Sequence, residues 1–161
     1  MAAVLTLLIV AALTGADQWI KYAVTRDLAP NGVRMLIPGV LQAHYAENDG
    51  AMMGLLPGKR SVMIVAAVLV LAVLLYIVFS KKLKPGFLYG CLTIVIAGGL
   101  GNIIDRLRFG YVVDYIEVLF VDFYIFNFAD CLITVGAFAI LFYQIADLIR
   151  SGRRQKEPAD G

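Results

Sequence analysis

The stretch Val62-Met63-Ile64-Val65-Ala66-Ala67-Val68-Leu69-Val70-Leu71-Ala72-Val73-Leu74-Leu75-Tyr76-Ile77-Val78-Phe79 contains no charge and no helix breaker. As a helix, at about 1.5 Å per residue, it would be roughly 27 Å long, close to the hydrocarbon thickness of a bilayer. It reads as a membrane-spanning helix. The rest of the chain agrees: 61% of its 161 residues are hydrophobic, 16% are charged, and the mean hydropathy is +0.82, well outside the range of a soluble domain. Two comparable runs follow, Phe87 to Ile104 and Cys131 to Ile149. A shorter one, Ala2 to Ala16, continues through Asp17 and Gln18 to Lys21 and Tyr22, which read as interfacial anchors. The first run lacks the basic flank of a cleavable signal and is expected to be a retained helix.

The expected class is therefore an all-α integral membrane protein with four transmembrane helices, over approximately 2–22, 61–80, 86–105 and 129–149. These belong to a single membrane-embedded domain, 1–161. Lys81, Lys82 and Lys84, with Arg150, Arg153, Arg154 and Lys156, outweigh the basic residues of the other loops by density and place that side in the cytoplasm. Both termini then share the cytoplasmic side, the tail being 150–161, and connections 23–60 and 106–128 are extracytoplasmic. Within the first connection, Val33 to Ala46 mixes β-branched and apolar residues around Pro38 and Gly39, which predicts short strands about a turn.

Several chemistries are excluded. A net charge of +2 offers no basic field for nucleic acid. Cys91 and Cys131 lie inside apolar runs and His44 is the one histidine, so no metal site is expected, and no cofactor. No serine stands in a nucleophile elbow. Carboxylates remain. The topology gathers Asp17, Asn48, Asn102, Asp105, Arg106, Asp114, Asn127 and Asp130 at one face of the membrane, where ionisable groups are expensive and mark function. On a helix Asn102 shares a face with Asp105 and Arg106, and Gly98 and Gly101 permit a close helical neighbour. Asn48-Asp49-Gly50 is a turn signal, and Asp130 is placed to cap the last helix.

Two facing carboxylates divide one proton, so one is an acid while the other deprotonates water. Asp130 is one candidate. The second is Asp114, Glu117 or Asp122, and composition alone leaves these open. A small proton- or ion-coupled transporter subunit is the alternative, although its acids would sit nearer the midplane. A non-catalytic assembly factor using the glycine face is a third reading, and it would tolerate loss of Asp114.

Five motifs carry a resemblance over nearly the whole chain. They are Asp17 with Lys21, Asn48-Asp49-Gly50-Ala51, Gly101-Asn102-Ile103-Ile104-Asp105-Arg106, Val112-Val113-Asp114, and Phe126-Asn127-Phe128-Ala129-Asp130. In content, order and topological side they resemble the bacterial lipoprotein signal peptidases (signal peptidase II), which are membrane aspartic endopeptidases. The resemblance implies a small extracytoplasmic β-cradle and a short amphipathic helix. It implies Asp114 and Asp130 as the catalytic dyad. Asn48, Gly50, Asn102, Arg106 and Asn127 become substrate-binding residues, and Asp17, Lys21 and Asp105 supports of the site. It also implies cleavage of diacylglyceryl-modified prolipoproteins just before the lipidated cysteine, by a monomer in contact with lipid of the bacterial cytoplasmic (inner) membrane. Met52 and Met53 depart from the family's usual small residue and aromatic, and they concern the pocket's outer half.

Overall fold

A computed structural model describes residues 1–29, 32–50, 60–80 and 83–154. The elements run α1 (Ala2–Leu28), β1 (Val33–Ile37), β2 (Leu41–Asn48), α2 (Arg60–Phe79), α3 (Phe87–Arg108), β3 (Val112–Val118) and α4 (Phe128–Arg154). All four helices are long and apolar enough to cross a membrane. The burial pattern of α1 shows what the surroundings must be. Its buried residues are Thr6, Thr14, Asp17 and Lys21, while Val4, Leu5, Leu7 and Leu8 face outward. A helix with polar residues inside and apolar residues outside is arranged for lipid, not water.

Helix α3 is the centre of the bundle and packs against each of the other three. Its glycines make this possible. A Cβ on Gly98 would collide with the Ala129 carbonyl oxygen, and one on Gly101 would lie 2.5 Å from the Asp17 carboxylate. With hydrogen in those places, α3 lies directly on α1 and on the start of α4. At the cytoplasm-facing half predicted above, Val78, Leu92 and Ile96 form an apolar core between α2 and α3.

The strands form one antiparallel sheet in the order β1-β2-β3. The expected hairpin about Pro38 and Gly39 is β1–β2, with Gly39 at φ +71°, a left-handed turn position suited to glycine. Between β2 and β3 the register steps from Ala43↔Ile116 to Ala46↔Asp114, so His44 and Tyr45 oppose the single residue Tyr115. This bulge changes the phase of β2 and puts Ala46 and Asn48 on the face of Asp114.

Helix bounds differ from the sequence expectation. Helix α1 continues six residues past position 22, because nothing breaks it until Ala29, the residue before Pro30, which turns extended at φ −78° and ψ 148°. Helix α3 runs on to Arg108 and stops where Gly110 takes a φ of +95°. Helix α4 continues beyond 149 to Arg154. Among the described residues no short amphipathic helix occurs; positions 51–59 of the same connection, with Met52 and Met53, lie outside them.

Candidate active site

The start of α4 shows how the site is built. A helix begins with backbone N–H groups that have no partner within it, and here each finds one. The Phe128 N–H donates to the Tyr115 hydroxyl (3.2 Å) and the Ala129 N–H to Asp17 Oδ1 (3.1 Å). The Asp130 N–H donates to Asn127 Oδ1 (3.0 Å), and the Asn127 N–H returns to Asp130 Oδ2 (3.2 Å). The last two form a reciprocal capping box. The cap expected at Asp130 is thus present, and it is part of the site.

Three asparagines aim at the two carboxylates, and each amide is oriented by a separate acceptor contact. Asn48 Oδ1 accepts the Gly50 N–H (2.9 Å), which leaves Nδ2 to donate to Asp114 Oδ2 (2.8 Å). Gly50 turns at φ +83°, so the turn signal and the site contact are one feature. Asn127 Oδ1 is occupied by the Asp130 N–H, and Nδ2 donates to Asp114 Oδ1 (2.6 Å) and Asn102 Oδ1 (3.2 Å). Asn102 Oδ1 also accepts from Lys21 Nζ (2.9 Å), which directs Nδ2 to Asp130 Oδ1 (2.8 Å).

Beneath this layer Lys21 is 3% exposed and contacts Asp17 and Asp105, both at 2.9 Å. The interfacial-anchor reading of Lys21 is therefore corrected: its ammonium turns inward, because two buried carboxylates and a carbonyl oxygen take its three donors. Asp105 also accepts the Val113 N–H (3.1 Å), tying α3 to β3, and Gln18 Nε2 (2.8 Å). Asp17 ties α1 to α4. The Arg106 guanidinium approaches the Asn102 carbonyl at 3.4 Å and lies within electrostatic reach of Asp130 and Asp114.

Asp114, Asp130, Asn48, Gly50 and Arg106 all line one cavity of about 840 Å³, whose remaining wall includes Phe123, Tyr124, Thr134 and Val135. Asn102, Asn127, Asp17, Lys21 and Asp105 sit behind the carboxylates. Of the three acids left open by the sequence, Glu117 is held by Gln42 Nε2 and His44 Nδ1, both at 2.6 Å, on the sheet. The Gln42 contact holds its carboxyl below the usual range, aided by His44. Asp122 is exposed. Asp114 is buried, and burial pushes its pKa up to about 6. The Asn48 and Asn127 amides oppose the rise and the Asp130 charge adds to it.

Gln18, Thr14 and Tyr115 were not singled out from sequence. Gln18 bridges Asp105 and the Gly101 carbonyl, and Thr14 donates to the Ala97 carbonyl (3.1 Å). Their position one turn apart on the inward stripe of α1, with Asp17 and Lys21, is the signal that would have found them.

The comparisons with known proteins bear on what such a site belongs to. The family described as Signal peptidase (SPase) II matches residues 9–146. The chain is 40% identical over 140 residues to the lipoprotein signal peptidase of Enterococcus faecalis (strain ATCC 700802 / V583), covering 87% of each chain. It is 38% identical over 130 residues to that of Streptococcus thermophilus (strain CNRZ 1066), covering 81% of this chain and 85% of the relative. A bacterial membrane enzyme solved by the in meso method at 2.3 Å resolution superposes with a TM-score of 0.82 at 30% identity, covering 97% of this chain and 93% of that one. The molecule is a multi-pass membrane peptidase. It belongs to the signal peptidase II family.

Proposed function

We propose that this chain removes signal peptides from diacylglyceryl-modified prolipoproteins, cutting just before the lipidated cysteine with a water activated between Asp114 and Asp130. The observation that carries the proposal is the convergence of these two carboxylates, from different elements, on one cavity wall with their amide partners fixed beside and behind them. Asp114 is the proton holder: burial, with the neighbouring charge adding to it, raises its pKa to about 6, so the protonated form that starts turnover is a minority at neutral pH and grows as pH falls toward 6. Asp130, which faces the same cavity from the first turn of α4, is assigned the part of the base.

In the first step Asp130 takes a proton from water as the water oxygen bonds to the scissile carbonyl carbon, and Asp114 gives its proton to the carbonyl oxygen. In the second, Asp130 returns a proton to the amide nitrogen while Asp114 takes one from the tetrahedral carbon's hydroxyl. The C–N bond then breaks. The signal peptide leaves with a new carboxyl terminus, the lipoprotein keeps a free amine on its cysteine, and both acids regain their starting states. Arg106, Asn48 and Gly50 on the cavity wall would bind polar substrate groups, the guanidinium with its fixed fork of donors. Asn102 and Asn127 would act from behind the carboxylates, and Asp17, Lys21 and Asp105 hold them in place.

The whole chain, 1–161, is then one membrane-embedded unit. It acts as a monomer in the bacterial cytoplasmic membrane, with both termini in the cytoplasm and the cavity at the extracytoplasmic face. Lipid chains of the substrate stay in the bilayer while the scissile bond meets the carboxylates at its edge, which restricts the approach and orients the bond. The test is a gel-shift cleavage assay on a diacylglyceryl-modified prolipoprotein and its unlipidated counterpart. Cleavage of the lipidated form alone, lost in both Asp114→Asn and Asp130→Asn, is the expected result. Normal turnover in either variant would refute the dyad.

A further inference from the structure

Between β3 and α4 the chain runs Leu119-Phe120-Val121-Asp122-Phe123-Tyr124. Phe120 is 73% exposed, and Val121, Phe123 and Tyr124 are each more than half exposed. The Leu119 N–H donates to the Val40 carbonyl at 2.9 Å, which joins this loop to the β1–β2 turn, where Ile37 and Val40 are also exposed. A surface facing water rarely carries so many adjoining large apolar groups, so the patch calls for an occupant.

Its depth identifies that occupant. Phe123 and Tyr124 share a cavity wall with Thr134 and Val135. Those two residues stand six and seven positions past Phe128, so about 9 to 10 Å along the axis of a membrane-spanning helix. A loop sharing a wall with the second turn of α4 hangs beside its first turns, at the level where headgroups give way to acyl chains. Val135 is itself 62% exposed, so the patch adjoins the lipid-facing side of α4 across the cavity edge. The loop's composition suits that level, since aromatic rings are favoured at the membrane–water boundary.

We propose that the loop 119–124, together with the turn at Ile37 and Val40, is a membrane-docking edge whose side chains enter the phospholipid of the leaflet that surrounds the first turns of α4. The sheet is then tied to the bilayer at its far end as well as through the helices. Asp114, on the strand that leads into Leu119, is held at a fixed height above the acyl chains.

The test is site-directed spin labelling in phospholipid vesicles, in a protein carrying Cys91→Ala and Cys131→Ala. Single cysteines replace Phe120, Val121 or Phe123, with Leu69→Cys as a lipid-facing reference and Ser151→Cys as a reference at the far end of α4. Labels on the loop are expected to collide more with dissolved oxygen than with a water-soluble nickel chelate, as at 69. Nickel-dominated collisions at the loop would place it in water and overturn the proposal. An immobilised label shielded from both reagents would mean a protein occupant, a partner or a second copy, and would overturn it equally. Should a cysteine variant fail to fold, Phe120→Trp in a Trp19→Phe background gives a second reading. Quenching by lipids brominated near the headgroup is expected there, and its absence would count against docking. Neither readout involves cleavage, so both are independent of the peptidase proposal.

Discussion

Asp114→Asn should inactivate the enzyme and stabilise the fold, and the second effect can be worked from the site. Burial lifts the carboxyl from its ordinary 3.8 to about 6. The folded-state value lies above the unfolded one, so the folded form binds the extra proton. The stability this contributes is complete below pH 3.8 and is lost as pH rises through about 6. At roughly 1.4 kcal/mol per pH unit, an ionised Asp114 costs the fold about 3 kcal/mol at neutral pH. The asparagine avoids that cost but does not fit perfectly. Both partners present NH2 groups to Asp114, and neither amide can turn over: Asn127 Oδ1 holds the Asp130 N–H and Asn48 Oδ1 holds the Gly50 N–H. The new amide accepts from Asn127 and loses the contact with Asn48, which is exposed and turns to water. That loss is worth about 1 kcal/mol. The net expectation is a gain of about 1 to 2 kcal/mol at pH 7.5 and none at pH 4. Denaturant unfolding in detergent micelles at the two pH values measures it. A variant less stable than wild type at pH 7.5, or one with the wild-type dependence on pH, would refute the reasoning.

Three other perturbations probe the support of the site. Lys21→Met leaves Asp17 and Asp105 facing each other without their shared cation; stability should fall by about 3 to 5 kcal/mol, measured by the same unfolding assay. Gly98→Ala pushes a methyl group against the Ala129 carbonyl and forces α3 from α4, a cost of about 1 to 3 kcal/mol with a parallel loss of turnover at the unfolding-corrected protein concentration. Tyr115→Phe leaves the first N–H of α4 without its hydroxyl acceptor, about 1 to 3 kcal/mol; kcat should fall more than KM changes, because the link between β3 and α4 sets the Asp114–Asp130 geometry and not the lipid contacts.

The four helices were legible because bilayer thickness converts directly into a length of apolar sequence. The hairpin was legible because Pro38 and Gly39 punctuate two β-prone runs. Residues that converge from distant positions were harder to place. Asp114, Glu117 and Asp122 look alike within eight or nine residues of chain. What separates them is that Glu117 is paired with Gln42 of β2, that Asp122 is exposed, and that the bulge at His44 and Tyr45 brings Asn48 onto the face of Asp114. A one-residue shift of register leaves no mark in hydropathy. The inward turn of Lys21, implied by the family resemblance, was hidden from composition and position for a related reason: at a membrane boundary a lysine reads as an anchor unless its partners are known, and one of them, Asp105, is on another helix.

Those partners also explain why the site lies at the end of α4 and not along it. A helix start inside a membrane protein must have its backbone donors satisfied by protein, because lipid offers no acceptors. Here Asp17, Tyr115 and Asn127 meet that need, and each is drawn from a different part of the chain. The hydrogen bonds that make α4 possible also fix Asn127, and through it the distance from β3 to the first turn that carries Asp130. Capping and site geometry are therefore one set of contacts. A substitution that weakens the cap should loosen the approach of the two carboxylates even where it touches neither, and Tyr115→Phe, which removes the acceptor of the Phe128 N–H and leaves both carboxylates and their amide partners in place, separates these effects most cleanly.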